Sequence, residues 1–363
     1  MKINTKELQG LIPVIKSAVG NNSLQPDTTR LGIKTTSDSI VFYSKGRDRL
    51  KKSLKIASPD QGVDIAVNAN IFLGLLGKTT TDEIELSIDD TTKNLVFKGN
   101  GIYNIEQEVS EVGPIKFGEI STDNLTNSIG TLKKDFIKTI INNNTYALLK
   151  VKEGESEGRL STGNYHIKTD NTMTSDSEVI SRTNVSSGLS KDISLSPETI
   201  NTIALTDEDL AVYEVGNDLL LVGSDSVISS PIVSDSNEFP YTELVNMIKD
   251  ELFPSSVSVE KSPILSAIDR LSIFNVDNSP LKISFGNNIV EFSIKEQKES
   301  IVAIGDGRKP DGTDYVFNTD MTSFVSSLKA YNKDTVVFKF NVNDITIIRL
   351  DGDNLIEAVS SKS

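Results

Sequence analysis

The sequence predicts an α+β chain built from three repeated domains, each with two helices and about eight strands. Three observations carry this expectation: a helix–strand–turn–strand unit that occurs three times, an amphipathic helix upstream of each copy, and period-two strands between them. The clearest copy is Tyr315 to Leu350. Met321, Phe324, Val325 and Leu328 fall at i, i+3, i+4 and i+7, one apolar face of a short helix, with Asn318 and Thr319 where an N-cap is wanted. After Lys333-Asp334 the period drops to two: Val336, Phe338 and Phe340 alternate with Val337, Lys339 and Asn341, and a polar turn leads into Ile345 to Ile348.

Two further copies are spaced by roughly 120–130 residues, well beyond solenoid periods. From Asn68, Ile71, Phe72, Leu75 and Leu76 make a helical face, then Ile84, Leu86 and Ile88 alternate and Leu95 to Phe97 returns. From Ser196, with Pro197 at the first helical position, Ile200, Ile203 and Ala204 form the face and Ala211, Tyr213 and Val215 alternate. The upstream helices present Leu8, Leu11, Ile12, Ile15 and Val19, then Leu132, Phe136, Ile137 and Ile140, then Ile264, Ile268 and Leu271. In the first domain, strands follow at Leu31–Thr35, Ser39–Tyr43 and Leu50–Ile56. Boundaries at polar and proline-bearing segments give domains 1–122, 123–250 and 251–363. Thr172–Ser177 and Ser186–Ser190, rich in Ser, Thr and Asp, read as solvated loops.

Composition removes most chemistry. There is no cysteine, hence no disulfide, thiol catalysis or zinc–thiolate site, and one histidine, His166, cannot build a multi-histidine centre. No nucleophile–histidine–acid set and no cofactor loop is present, so the expectation is a non-enzyme without cofactor or metal. No apolar run approaches the roughly 20 residues of a membrane span, so the chain reads as soluble, with no membrane partner. A formal net charge of −14 argues against a surface wholly committed to nucleic acid, but allows a basic strip inside an acidic shell.

The triplicated two-helix, multi-strand domain resembles the bacterial β-type DNA polymerase sliding clamp. The similar stretches are Val259-Glu260-Lys261-Ser262-Pro263 through Phe317-Asn318 to Ile348, the link Glu238-Phe239-Pro240-Tyr241 with Val245 downstream, Ile3 to Val19, and Asn68 to Phe97. The resemblance covers essentially the whole chain and rests on repeat spacing and pattern rather than one diagnostic motif. It implies a DNA-clamp fold in a head-to-tail homodimeric ring, helices lining the hole and sheets outside. It implies a cytoplasmic processivity factor that encircles double-stranded DNA without sequence preference and serves a DNA polymerase and a clamp loader.

Charge on the helices fits that expectation. Lys6 and Lys16 lie opposite the first apolar face, together with Gln9 and Pro13. Lys78 closes the next helix; Lys134 and Lys138 recur at i and i+4 with Lys133 adjacent; Lys261, Arg270, Lys329 and Lys333 belong to the third repeat. Helical carboxylates are few: Glu7, Asp135, Glu198, Asp269 and Asp320, several of them in first turns. Ordinary amphipathic helices with lysine on the solvent face are the simpler explanation for any single helix. Tyr146 matches a position where the family places an aromatic near DNA, and a core role fits it equally. Six cations from Lys45 to Lys55, among them Arg47, Arg49 and Lys51, suit either phosphates at one mouth of the ring or a solvated hairpin.

Two more sites carry over from the resemblance. The subunit interface implies Tyr103, Ile105, Ile273 and Phe274; the partner-peptide pocket implies Leu148, Thr169, Met173, Pro240, Val245 and Val359. Here the chain departs from the family: Thr169-Asp170-Asn171-Thr172-Met173-Thr174 replaces a Thr-Asp-Gly-His-Arg-Leu run, and the tail Val359 to Ser363 lacks a Met-Pro-Met-like apolar end. A divergent, phage-encoded member working in an infected host cell would account for the change. Ile304 to Asp314 lacks the endings of a P-loop or an EF-hand and reads as a surface connection, and His166 reads as structural. The competing class is a repeat-built, β-rich structural, virion or surface protein without DNA binding.

Overall fold

The computed structural model describes residues 1–20, 26–57, 62–111, 113–148, 163–176, 178–233, 239–275 and 277–361. The chain divides into two compact units: Met1–Ile137 with Gly188–Ser190 and Glu198–Ile232, and Lys138–Ser187 with Lys191–Pro197 and Val233–Ser363. The helices are α1 (Thr5–Gly10), α2 (Ile12–Ser17), α3 (Ala69–Lys78), α4 (Lys134–Asn144), α5 (Pro197–Thr206), α6 (Tyr241–Met247), α7 (Lys261–Ser272) and α8 (Met321–Ala330).

In the first unit, eight antiparallel strands form one sheet in the order Ser128–Leu132, Leu210–Val215, Asp218–Val222, Ser226–Pro231, Arg49–Lys55, Ser39–Lys45, Arg30–Thr35 and Asp64–Asn68. A separate four-stranded sheet runs Lys2–Asn4, Glu83–Ile88, Leu95–Lys98 and Ile102–Ile105. Twelve strands form the sheet of the second unit, which joins Val179–Thr183 of the middle repeat to Leu355–Ser360 of the last. The repeats are therefore fused strand to strand, Ser226–Pro231 on Arg49–Lys55 in one unit and Val179–Thr183 on Leu355–Ser360 in the other. Pairing of this kind satisfies edge N–H and C=O groups that would otherwise be exposed.

Helix faces follow the apolar period with two corrections. On α3, the Asn68 side chain accepts from the Ile71 N–H and sets the start, so that Ala69, Phe72, Leu73 and Leu76 are buried while Ile71 is exposed. The face is thus one residue off the expected Ile71, Phe72, Leu75 and Leu76. The first helix is two helices: the chain breaks at Leu11, two residues before Pro13, which lacks an N–H and cannot sit in a helix interior. Gln9 consequently turns inward, its amide nitrogen donating to the carbonyls of Leu76 and Thr79 at 2.9 Å each and closing the end of α3. The cap of α8 is Asp320 rather than Asn318 or Thr319, which end a strand; its carboxylate accepts from the Ser323 N–H at 2.8 Å.

Tilted and edge-on aromatic contacts run through both cores. Phe42 meets Phe72 and Phe72 meets Phe97 with ring centroids about 6 Å apart; Phe285, Tyr315, Phe338 and Phe340 cluster in the last repeat. Each such ring contributes on the order of 1.5–3 kcal/mol by leaving water.

Thr172–Ser175 is a wholly buried strand, not a loop. Its hydroxyls and those of its neighbour make a polar socket for the end of α4: Thr174 Oγ1 donates to the Asn144 carbonyl at 2.9 Å, Ser181 Oγ to the Asn143 carbonyl at 2.8 Å, and Thr183 Oγ1 to Asn144 Oδ1 at 2.7 Å. Carbonyls at a helix end need such partners. Ser186–Ser190 is irregular as expected, although Ser187 and Leu189 are buried.

At the seam of the first unit, Lys52 is buried, its ammonium 3.0 Å from Glu208 Oε1, 2.8 Å from Ser226 Oγ and 3.5 Å from Asp225 Oδ2. Burial pushes the Glu208 carboxyl up, but hydrogen bonds from Ser226, Lys52, Ser224 and the Asp225 N–H outweigh it and hold the group at about 2. Lys52→Met strands that carboxylate and is expected to cost about 3–5 kcal/mol in urea unfolding at pH 7. Because Glu208 lies below its unfolded value, its contribution is complete above that value and disappears as pH falls toward 2. Thermal melts of Glu208→Gln should therefore lose part of the wild-type acid dependence between about pH 5 and pH 2. An unchanged acid limb would show that Glu208 is not stabilised as its contacts require.

Candidate functional site

Cations stand on the outward sides of helices in each unit. In the first, Lys6 on α1, Lys16 on α2 and Lys78 on α3 are exposed and have no ion pair among the described residues. Lys133 Nζ lies 2.8 Å from Asp209 and Lys134 Nζ 3.7 Å from Asp207, both pairs exposed. The Lys133 contact, with the Lys134 N–H, holds the Asp209 carboxyl below its usual range. Further along α4, in the second unit, Lys138 is exposed beside buried Ile137 and Ile140. In the same unit Lys329 on α8 is exposed, without an ion pair among the described residues. Arg270 on α7 pairs with Glu299, Nε to Oε1 at 2.7 Å; Lys333 reaches Asp353 at 2.8 Å; Lys261 donates to the Tyr331 carbonyl at 2.8 Å. The exposed ion pairs among these are weakened by solvent and salt, so they do not withhold the cation from a competing anion.

The hairpin cations form a separate group. Lys45 pairs across the strands with Arg49 and Tyr43 with Lys51, so these four share one sheet face; Phe42, which meets α3 through Phe72, is on the other. Lys45, Arg49 and Lys51 thus point away from the helices. Arg47, in the turn, lies 4.0 Å from Glu198 on α5. Tyr146 is half-buried and its hydroxyl turns inward, donating to Glu357.

Several strand edges are open among the described residues, and two of them bear on the carried-over interface. Ile102–Ile105 pairs only with Leu95–Lys98, and Gln297–Ala303 is paired on one side only, the neighbouring Ser255–Glu260 touching this strand at Ser258 and Ile304. Beside these edges Tyr103 in the first unit and Ile273 and Phe274 in the second are exposed. Ile105 is not: it is 3 % exposed and faces the core with Leu95. Alternation makes Ile102 the outward residue, and Ile102, Val302 and Ile304, at 72 %, 83 % and 76 % exposed, were missed in the sequence. Their signal was an apolar residue out of phase with its strand.

Of the six residues carried to the peptide pocket, Leu148, Met173 and Val359 are buried, Val245 is half-buried, and Thr169 and Pro240 are exposed. Met173 belongs to a cluster with Ile180, Phe239, Ile248 and Ala358, against which Val245 packs. Asn171, in the run that departs from the family pattern, accepts from the Tyr241 hydroxyl at 2.9 Å, while Lys168 sits 4.3 Å from the Tyr241 ring centre. His166 stacks on Phe239 at 3.7 Å with Nδ1 2.9 Å from Ser194 Oγ, a packing role. Glu238 and the last two residues lie outside the described residues. Of Ile304–Asp314, the first three residues end a strand and the rest is a turn closed by the Lys309 N–H on the Thr313 carbonyl and by Arg308 on Asp306. Among the described residues no group of three acidic or histidine side chains is placed to hold a metal, and no helix is long and apolar enough to cross a membrane.

Solved structures supply the comparison. No family model matches the chain, and no curated protein is similar to it. The structure is similar over its whole length to the β subunit of DNA polymerase III from Thermotoga maritima (14 % identity, 100 % and 98 % of the two chains, TM-score 0.82). It is likewise similar to the DNA polymerase sliding clamp of Bacillus subtilis (14 %, 100 % and 98 %, 0.81) and to the DNA polymerase β subunit of Streptococcus pyogenes (16 %, 99 % and 99 %, 0.79). The chain therefore has the sliding-clamp fold, as the repeats predicted.

Glu357 is fully buried, and its Oε2 has no hydrogen-bond partner among the described residues. Burial pushes this carboxyl well up, against the opposing effects of the Tyr146 hydroxyl and Lys261. A raised carboxyl favours the fold while protonated and costs stability as pH rises from the unfolded value through the folded one. Glu357→Gln should therefore raise the melting temperature at pH 8 by a few degrees, with the gain shrinking toward pH 4. A pH-independent difference would contradict a protonated Glu357.

Proposed function

We propose that this chain is a DNA polymerase sliding clamp, a non-enzymatic processivity factor that encircles duplex DNA and tethers the replicative polymerase. The observation that carries the reading is the match of the whole chain to sliding clamps at TM-scores near 0.8. Cations on the outward helix faces support it, since a sequence-independent grip on duplex needs positive charge at phosphate spacing and no base reading. On this reading, domains 1–122, 123–250 and 251–363 repeat around a ring of two chains joined head to tail. The edge Ile102–Ile105, with Tyr103, meets the edge Gln297–Ala303, with Ile273 and Phe274, of the second copy; Ile105 supports this joint from the core. The helix cations Lys6, Lys16, Lys78, Lys134, Lys138, Lys261, Arg270 and Lys329, with Lys133 and Lys333 just beyond helix ends, face the DNA. Lys45, Arg49, Lys51 and Tyr146 stand outside that set because of where their side chains point, while Arg47, beside Glu198 on α5, is at its margin. Polymerase and clamp loader dock at the pocket around Met173, Pro240 and Val245, and the protein works in the cytoplasm.

The test is topological. Equilibrated with nicked circular plasmid, the protein should co-elute with it and be released when the plasmid is linearised; equal retention on both forms would sink the ring reading. Lys16→Glu with Lys78→Glu should lower the slope of log K against log salt by about 2 without unfolding the chain. Ile273→Asp with Phe274→Asp should convert a dimer to a folded monomer by light scattering, and a dimer unaffected by the pair would place the joint elsewhere.

A further inference from the structure

One cavity of the first unit belongs to none of these sites. It lies on the sheet face turned away from α3, has a volume of about 450 Å³, and is bounded by strands Arg30–Thr35 and Ser39–Lys45, by Arg49, and by the segment Pro114–Ile120 that crosses over them. Three contacts hold that segment down. Gly32 leaves bare backbone under the Phe117 ring, where a Cβ would come within 2.6 Å of Cδ2. An Arg49 guanidinium nitrogen donates to the Gly118 carbonyl at 3.1 Å, and Lys34 Nζ reaches Glu119 Oε1 at 2.6 Å.

Four cations line the cavity: Arg30, Lys45, Arg49 and Lys116. Glu108 answers Arg30 at 3.1 Å. Lys45, Arg49 and Lys116 have no carboxylate partner among the described residues, in a chain whose formal charge is −14. Apolar wall comes from Ile115, Phe117 and Ile120 with Tyr43. A concavity of this size with apolar walls and a few convergent charged groups is the ordinary form of a ligand site.

We propose that this cavity takes an acidic, apolar-containing linear segment of a partner protein, its carboxylates on Lys45, Arg49 and Lys116 and a Leu- or Phe-sized side chain against the wall. Charge complementarity selects an anion. The cavity's size and apolar wall exceed what inorganic phosphate would fill. Single-stranded nucleic acid is held by several rings on which successive bases stack; with Tyr43 largely buried, Phe117 is left as a single partly exposed ring, enough to meet one apolar side chain. The site is independent of the clamp reading, because none of its cations is on a helix.

The probe is a displayed library of random dodecapeptides, selected on the full chain and counter-selected on Lys45→Glu with Lys116→Glu, both exposed positions whose change leaves the Arg49–Gly118 contact in place. Enriched peptides should carry Asp or Glu beside Leu, Ile or Phe. Fluorescein-labelled, they should bind wild type at least about tenfold tighter than the double variant by anisotropy, a difference of about 1.4 kcal/mol. Labelled dT12 should bind both proteins alike. Failure to enrich any peptide, enrichment without acidic residues, equal binding to the double variant, or a selective loss of dT12 binding would each overturn the proposal. Plasmid retention by the double variant reports on the ring reading separately.

Discussion

Backbone pairing between strands of different repeats is the constraint on which the rest of this structure depends. A two-helix, eight-strand domain leaves edge strands whose N–H and C=O groups must find partners. Here Ser226–Pro231 closes on Arg49–Lys55, and Val179–Thr183 closes on Leu355–Ser360. Both joints are antiparallel, and the strands that make them are largely buried on both faces. The first is secured by an ion pair between Lys52 and Glu208, residues 156 positions apart, inside a cage of serine hydroxyls. Neither charge is exposed enough for water to replace the other, so removing one partner leaves an uncompensated buried charge at the joint.

The same constraint explains what is left over. The edges Ile102–Ile105 and Gln297–Ala303 lack a partner on one side among the described residues, and both carry exposed apolar side chains. Proteins usually blunt such edges with charge or proline, yet Ile102 stands exposed on the first and Val302 on the second, with Ile304 just beyond it. The proposed ring closes them by the pairing rule already used twice within the chain. A buried polar network accompanies the second joint, where Tyr146 reaches Glu357 on Leu355–Ser360 and the hydroxyls of Thr174, Ser181 and Thr183 receive the end of α4.

Much of the fold was legible because it rests on local period. Ile264, Ile268 and Leu271 on α7, and Phe136, Ile137 and Ile140 on α4, are buried as their spacing predicted. Departures have local causes as well: Asn68 caps α3 and rotates its face by one residue, and Pro13 breaks the first helix and sends Gln9 inward. Thr172–Ser175 misled for a different reason. Its composition is that of a loop, and only the packing of α4 against it gives the Thr174 hydroxyl its partner.

What the sequence determined by itself is the repeat, the helix faces and the placement of lysine on their solvent sides, since all three depend on residues within one or two turns of each other. Which cations share a site was decided by tertiary structure. Lys45 and Arg49 look like any basic hairpin until strand register puts them on the face opposite Phe42, under Pro114–Ile120. Lys52, two residues from Leu50 and indistinguishable from Lys51 in the sequence, is buried on Glu208 because alternation turns it to the other face. The physical reason is that a strand assigns a face by parity, and a face acquires a meaning only from distant chain packed against it.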